Sequence, residues 1–115
     1  MPRLDSTQLR NYVPGPGDPY DKAFYERVAS MMDLESNQYA SMGIQTTVYY
    51  NTETNTRDYD PPLPVPTSGQ HQGILNQIVT ARTQVEQQVW SEDPNQDRAQ
   101  RFRDNFDQQV EKYKK

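Results

Sequence analysis

Residues 67–115 read TSGQHQGILNQIVTARTQVEQQVWSEDPNQDRAQRFRDNFDQQVEKYKK. This stretch decides the fold class, because its apolar residues recur every three or four positions. Ile74, Ile78, Ala81, Val85 and Val89 fall on one helical face, and Leu75 and Val79 widen its first half. Thr67 or Ser68 supplies a capping hydroxyl at the entry. Ser91-Glu92-Asp93 interrupts the stripe. Asp93-Pro94-Asn95-Gln96 then combines a cap, a proline at the first helical position and a glutamine at the third. Ala99, Phe102, Phe106, Val110 and Tyr113 carry a second stripe, and Lys112, Lys114 and Lys115 sit at its end as the helix dipole prefers. The spacing predicts two helices of about 20 residues, each about 30 Å long, folded as an antiparallel hairpin over residues 69–115. One long bent helix is the competing arrangement. Both stripes are narrow, close to two residues per heptad, which suits a seam against another chain better than a core closed on three sides.

Four further segments precede the hairpin. Residues 61–68, PPLPVPTS, hold four prolines in six positions and read as an extended polyproline spacer. They contain one Pro-x-x-Pro, but the nearest basic residue, Arg57, stands among acids, so a spacer is favoured over a docking ligand. Residues 44–60 contain the one convincing strand, Ile44 to Tyr50, with Ile44, Thr46, Val48 and Tyr50 on one face. Arg57 to Asp60 is a weaker return strand after a polar loop. Such a short β element is marginal alone, so it either pairs with a sheet on another chain or forms a local hairpin against the first helix.

Residues 18–43 predict a helix from about Pro19 to Leu34, with Ser41 as its outer limit. Asp18 is the expected cap, Pro19 the first helical residue and Asp21 the third. Tyr20, Phe24, Val28, Met31 and Met32 form its apolar face, and the stripe fades at Glu35, Ser36 and Asn37. Gly43 is the expected left-handed terminator. Residues 1–17 end in Pro14-Gly15-Pro16-Gly17, which suits neither helix nor central strand. They read as an extended N-terminal arm lying on a neighbouring chain, with Leu4, Leu9, Tyr12 and Val13 as anchors.

The expected class is therefore mainly α: an arm and helix, a short β element, a proline spacer and a helical hairpin, not an independent compact globule. Composition supports this. The chain has 115 residues and only 32% are hydrophobic; Leu, Ile, Val and Phe make up 19, while Gln and Asn make up 20. Such a low apolar share accompanies disorder when charge is high, yet the net charge is only −4. The few apolar residues sit on capped elements, which favours narrow faces awaiting a partner over a chain unable to fold.

Several functions are disfavoured on the same ground. The chain has no cysteine, so disulfide scaffolds, cysteine-based metal centres and thiol nucleophiles are excluded. His71 is the one histidine, and no carboxylate lies within a helical turn of it. The glycines form no phosphate-binding pattern, and Asp58 and Asp60 around Tyr59 are too few for a cation loop. No catalytic, metal or cofactor site is expected. Residues 1–10 carry no apolar core of a signal peptide, and no run is long enough to span a bilayer. An isoelectric point near 4.9 opposes nucleic-acid binding.

Seven of the eight tyrosines fall in the first 60 residues, and tyrosine suits half-wet interfaces. The residues expected to contact partners are Tyr12, Phe24, Tyr49, Tyr50, Phe102 and Phe106, while Trp90 serves either an interface or the hairpin core. The polar, amide-rich, cysteine-free texture is similar to that of small structural proteins of tailed bacteriophages. It implies a non-catalytic assembly protein in the head, neck, tail or baseplate of a virion, bound to larger protein subunits or to copies of itself. The alternatives are a cytoplasmic adaptor or accessory subunit of a cellular complex, and a small dimerising helical regulator.

Overall fold

The computed structural model describes residues 3–63 and 72–102. The chain divides into two compact units, Met1–Leu63 and Pro64–Lys115. Together their described residues form a mixed fold of helices and one small antiparallel sheet.

In the first unit, β1 (Arg3–Leu4) leads into α1 (Ser6–Arg10), followed by α2 (Lys22–Ser41), β2 (Thr47–Asn51) and β3 (Thr56–Asp60). The strands lie in the order β1-β2-β3, all antiparallel, with Arg3 opposite Asn51, Leu4 opposite Tyr50, Val48 opposite Tyr59 and Tyr50 opposite Arg57. Leu4, Val48, Tyr50, Arg57 and Tyr59 therefore share one face, while Arg3, Tyr49, Asp58 and Asp60 share the other. α1 packs on α2, and both helices pack on β2. Leu9, Phe24, Tyr25, Val28, Met31, Met32, Tyr39, Val48, Tyr50, Tyr59 and Leu63 are buried, so this unit has a core of its own. The expectation that the chain is not an independent compact globule finds no support in this unit.

The expected extended arm is instead folded. Asp5 caps α1 by accepting from the Gln8 amide at 2.8 Å, and the Gln8 side chain accepts from the Asp5 amide at 3.0 Å. This reciprocal capping box fixes a five-residue helix that apolar periodicity is too short to reveal. α2 starts three residues later than expected. Its cap is Asp21, which accepts from the Phe24 amide at 2.9 Å, because Asp18 is engaged elsewhere. It also runs to Ser41, the outer limit. The stripe does not fade at Glu35: Glu35 and Tyr39 continue it on the buried face.

α2 ends in a Schellman motif. The Gly43 amide bonds the Ala40 carbonyl at 3.0 Å, the Ile44 amide bonds the Tyr39 carbonyl at 2.9 Å, and Gly43 has φ +80°. The return strand β3 is real, and a loop closed by Asn51 and Asn55 joins it to β2. The Asn51 carboxamide accepts from the Glu53 and Thr54 amides, and Asn55 occupies the left-handed region at φ 56°. The proline segment does not start as a free spacer. Leu63 is buried, and Thr46 Oγ1 donates to the Pro61 carbonyl at 2.6 Å. Residues 64–68 of that segment lie outside the described residues.

In the second unit, α3 (Gln72–Trp90) buries Ile78, Ala81, Val85, Val89 and Trp90, and a further helix occupies residues 96–102. The rings of Trp90 and Phe102 lie 4.4 Å apart. In one continuous helix residues 90 and 102 would be about 18 Å apart, so the chain doubles back between them. That favours the hairpin over the bent helix. The cap is Asn95 rather than Asp93: Asn95 Oδ1 accepts from the Arg98 amide at 3.0 Å. Asp93 is occupied by a two-point ion pair with the Arg98 guanidinium, at 3.0 and 2.7 Å. The α3 stripe also includes Arg82 and Glu86, both buried, which apolar counting passes over.

Gly43 tests the α2 terminus directly. A Cβ there meets no neighbouring atom, so Gly43→Ala incurs only the left-handed backbone penalty. It should destabilise the first unit by about 1–2 kcal/mol, measured by urea unfolding followed through tyrosine circular dichroism.

Candidate functional site

The first unit is held by three polar assemblies, all of which involve residues that sequence periodicity treats as surface. The innermost is built on Glu35, whose side chain is 0% exposed. Glu35 Oε2 accepts from Arg57 Nη1 at 2.6 Å, and the Arg57 side chain is itself 2% exposed. Glu35 Oε1 accepts from Tyr39 Oη at 2.5 Å and from Tyr59 Oη in a short bond. One turn of α2 places Tyr39 beside Glu35, and the alternation of β3 turns Arg57 and Tyr59 to the same face. The carboxylate thus joins α2 to the sheet through Arg57 and Tyr59, with Tyr39 of its own helix as a third donor, and its charge is balanced where water is excluded.

The second assembly is centred on Asp18. Tyr25 Oη donates to Asp18 Oδ1 at 2.7 Å, Tyr12 Oη to Oδ2 at 3.0 Å, and the Tyr20 amide to Oδ1 at 2.9 Å. Around it the rings of Tyr12, Tyr20, Phe24 and Tyr50 gather on Tyr25. Tyr12 meets Tyr25 edge-on at 5.0 Å, Tyr20 stacks on Phe24 at 3.9 Å, and Tyr50 lies 6.4 Å from Tyr25. Such edge-to-face pairs add to the burial energy of each ring. Burial opposes the charge on Asp18, but the bonds from Tyr25, the Tyr20 amide and Tyr12 outweigh it and hold the carboxyl below its ordinary value. The Tyr25 phenol is pushed well above its ordinary value by burial and then by its bond to Asp18, and that of Tyr12 is raised chiefly by its own bond to Asp18. All three groups move away from neutrality. That suits a fixed latch and not proton transfer near pH 7.

The third assembly lies on the outer sheet face. The Arg3 guanidinium sits 4.1 Å from the centre of the Tyr49 ring and reaches Asp58 at 3.0 Å and, more distantly, Asp60 at 3.9 Å. It ties β1 to β3 across β2. Arg10 pairs with Asp33 of α2 at 2.7 Å, and Lys22 Nζ donates to the carbonyls of Arg10 and Tyr12. Residues 3–12 are thereby strapped to the body of the unit.

The six expected contact residues separate accordingly. Phe24 and Tyr50 are fully buried in the aromatic cluster, and so are core rather than contact surface. Tyr12 joins the same cluster and is half-buried. Tyr49 lies half-buried under Arg3, and Phe102 packs on Trp90. Phe106 lies outside the described residues. Of the proposed arm anchors, Leu9 is fully buried within the unit and Val13 is 77% exposed. Periodicity missed Asp18, Tyr25, Glu35, Arg57 and Tyr59. Glu35 alone left a signal, since it stands at a stripe position of α2 one turn before Tyr39.

Among the described residues no group of three or more His, Cys, Asp or Glu is placed to hold a metal ion, and no helix is long and apolar enough to cross a membrane. Comparison with known protein families, with curated proteins and with solved structures finds no match to this chain.

Two measurements check these assemblies. Glu35→Gln should leave Arg57 buried opposite a neutral group and cost about 3–5 kcal/mol in urea unfolding. Tyr59→Phe removes one donor and should cost about 1–3 kcal/mol. The Asp18 contribution is complete above about pH 4 and is lost as pH falls through its lowered value. The Tyr25 and Tyr12 contributions are complete below about pH 10 and are lost as pH rises through their raised values. Stability of the first unit should therefore decline at both ends of the pH range, and Asp18→Asn should flatten the acid limb.

Proposed function

We propose that this chain is a non-catalytic assembly protein that binds larger protein subunits, and that its setting is a small structural component of a tailed-phage virion. The observation that carries the non-catalytic part is the use made of its titratable groups. Glu35, Asp18, Tyr12, Tyr25, Tyr39, Tyr59 and Arg57 are all engaged in bonds within the first unit. A catalytic acid or base needs a value near the working pH and a path to substrate. Glu35 is sealed from solvent, and the Asp18 group is shifted away from neutrality.

The assembly part is supported by the strapped construction of residues 3–12 and by the amide-rich, cysteine-free composition. The surface of the first unit is polar, with Val13 its exposed large apolar side chain among the described residues. A partner would therefore be held by polar and aromatic contacts at the rim, where Tyr12, Tyr20 and Tyr49 are half-buried. The second reading, an adaptor in a cellular complex, draws on the proline segment of residues 61–66.

Affinity capture with the tagged full chain separates the two. Portal, capsid, tail or baseplate subunits among the retained proteins are the expected result. Retention of a host enzyme or an SH3-type domain, lost on Pro61→Ala/Pro64→Ala, would favour the adaptor.

A further inference from the structure

We infer that the strap, residues Arg3–Arg10, exchanges between two copies of this chain, so that each copy completes the sheet and helix layer of the other. The inference rests on the assembly reading above and names the partner as a second copy.

The strap is a separable piece. It holds its own strand β1 and its own capped helix α1. The attachments of residues 3–12 to the rest of the unit are the two register pairs with Tyr50 and Asn51, the fully buried Leu9 side chain, the bonds from Arg3, Arg10 and Lys22, and the Tyr12 contacts with Asp18 and Tyr25. Every one of these contacts is made by residues 3–12 on one side and by residues 18 onward on the other. The segment between them, Val13-Pro14-Gly15-Pro16-Gly17, crosses with little of its own. Val13 is 77% exposed, and a Cβ placed on Gly15 or Gly17 meets nothing within 4 Å. Its one backbone bond runs from the Asp18 amide to the Gly15 carbonyl, at 3.0 Å, closing a turn over Pro16-Gly17.

Opening that turn breaks one backbone hydrogen bond and lengthens the hinge, while the strap's own contacts are lost on release and regained on the other copy. The five hinge residues then reach up to about 17 Å when extended, and the two prolines favour the extended form. Because the same contacts re-form between copies, the exchanged and unexchanged states differ only in the hinge and in the entropy of association. The surface vacated on one copy, the Tyr50–Asn51 edge of β2 and the Leu9 site, fits the identical strap of the other. This is an isologous, self-closing pairing.

Cysteine pairs test it, since the chain has no native thiol. Arg3 and Asn51 are register partners, at a separation that antiparallel strands and a disulfide share. In the Arg3→Cys/Asn51→Cys chain, oxidation should yield a disulfide-linked species of twice the chain mass whose share rises with protein concentration. Because this pair removes the Arg3 ion pair, the chain lacking residues 14–17 is examined beside it with Arg3 intact. Its shortened hinge should shift sedimentation towards twice the chain mass. Disulfides confined to single chains at every concentration, with a hinge-shortened chain that stays monomeric, overturn the proposal. A doubled mass accompanied only by within-chain disulfides also overturns exchange, while leaving the assembly reading in place. That reading fails separately, if affinity capture retains no structural subunits.

Discussion

The first unit depends on the ion pair between Glu35 and Arg57. Removing a carboxylate and a guanidinium from water is costly, and only near-complete pairing makes it tolerable. Here the carboxylate takes Arg57 on one oxygen and the phenols of Tyr39 and Tyr59 on the other. These partners come from α2 and β3, which are separated by the Gly43 terminator and the whole of β2. The pair therefore fixes which face of β3 turns inward and, through the β2–β3 register, which face of β2 carries Val48 and Tyr50. A one-residue slip of β3 would turn Arg57 and Tyr59 outward and strand Glu35. With so few aliphatic residues available, charge and phenol provide the specificity that a larger apolar core supplies elsewhere.

The Asp18 and Arg3 assemblies extend the same logic to the strap. A two-residue strand and a five-residue helix are too short to persist alone. They are held by a ring cluster, a shared carboxylate, a cation over a ring and three ion pairs, with Leu9 as the buried apolar contact. This is attachment by many modest polar bonds, which are lost and re-formed more readily than a broad apolar seal. It is the physical basis of the proposed exchange of Arg3–Arg10 between copies.

Much of this was legible in residues taken one segment at a time. The α2 face through Phe24, Val28, Met31 and Met32, the Gly43 terminator, the Val48/Tyr50 face and the α3 stripe through Ile78, Ala81, Val85 and Val89 all follow from periodicity and turn chemistry. Two boundaries shifted for one reason. Asp18 and Asp93 look like caps, but each is drawn away by a stronger tertiary partner, the tyrosine hydroxyls in one case and Arg98 in the other. The neighbouring Asp21 and Asn95 then cap the helices. The arm was misjudged because the Asp5–Gln8 capping box acts over four residues, below the length at which an apolar period is visible.

By itself the sequence determined where helices and strands can run, because hydrophobic period, proline and glycine act locally. It also determined that the apolar core would be small. It did not decide which tyrosines and acids would be inside. Tyr12, Phe24 and Tyr50 look like interface aromatics until Tyr25 and Asp18 gather them. Glu35 and Arg57 look like solvated charges until α2 and β3 bring them within 2.6 Å. Burial of a polar group is favourable only when its partners arrive from distant positions together, and that is a property of the tertiary structure alone.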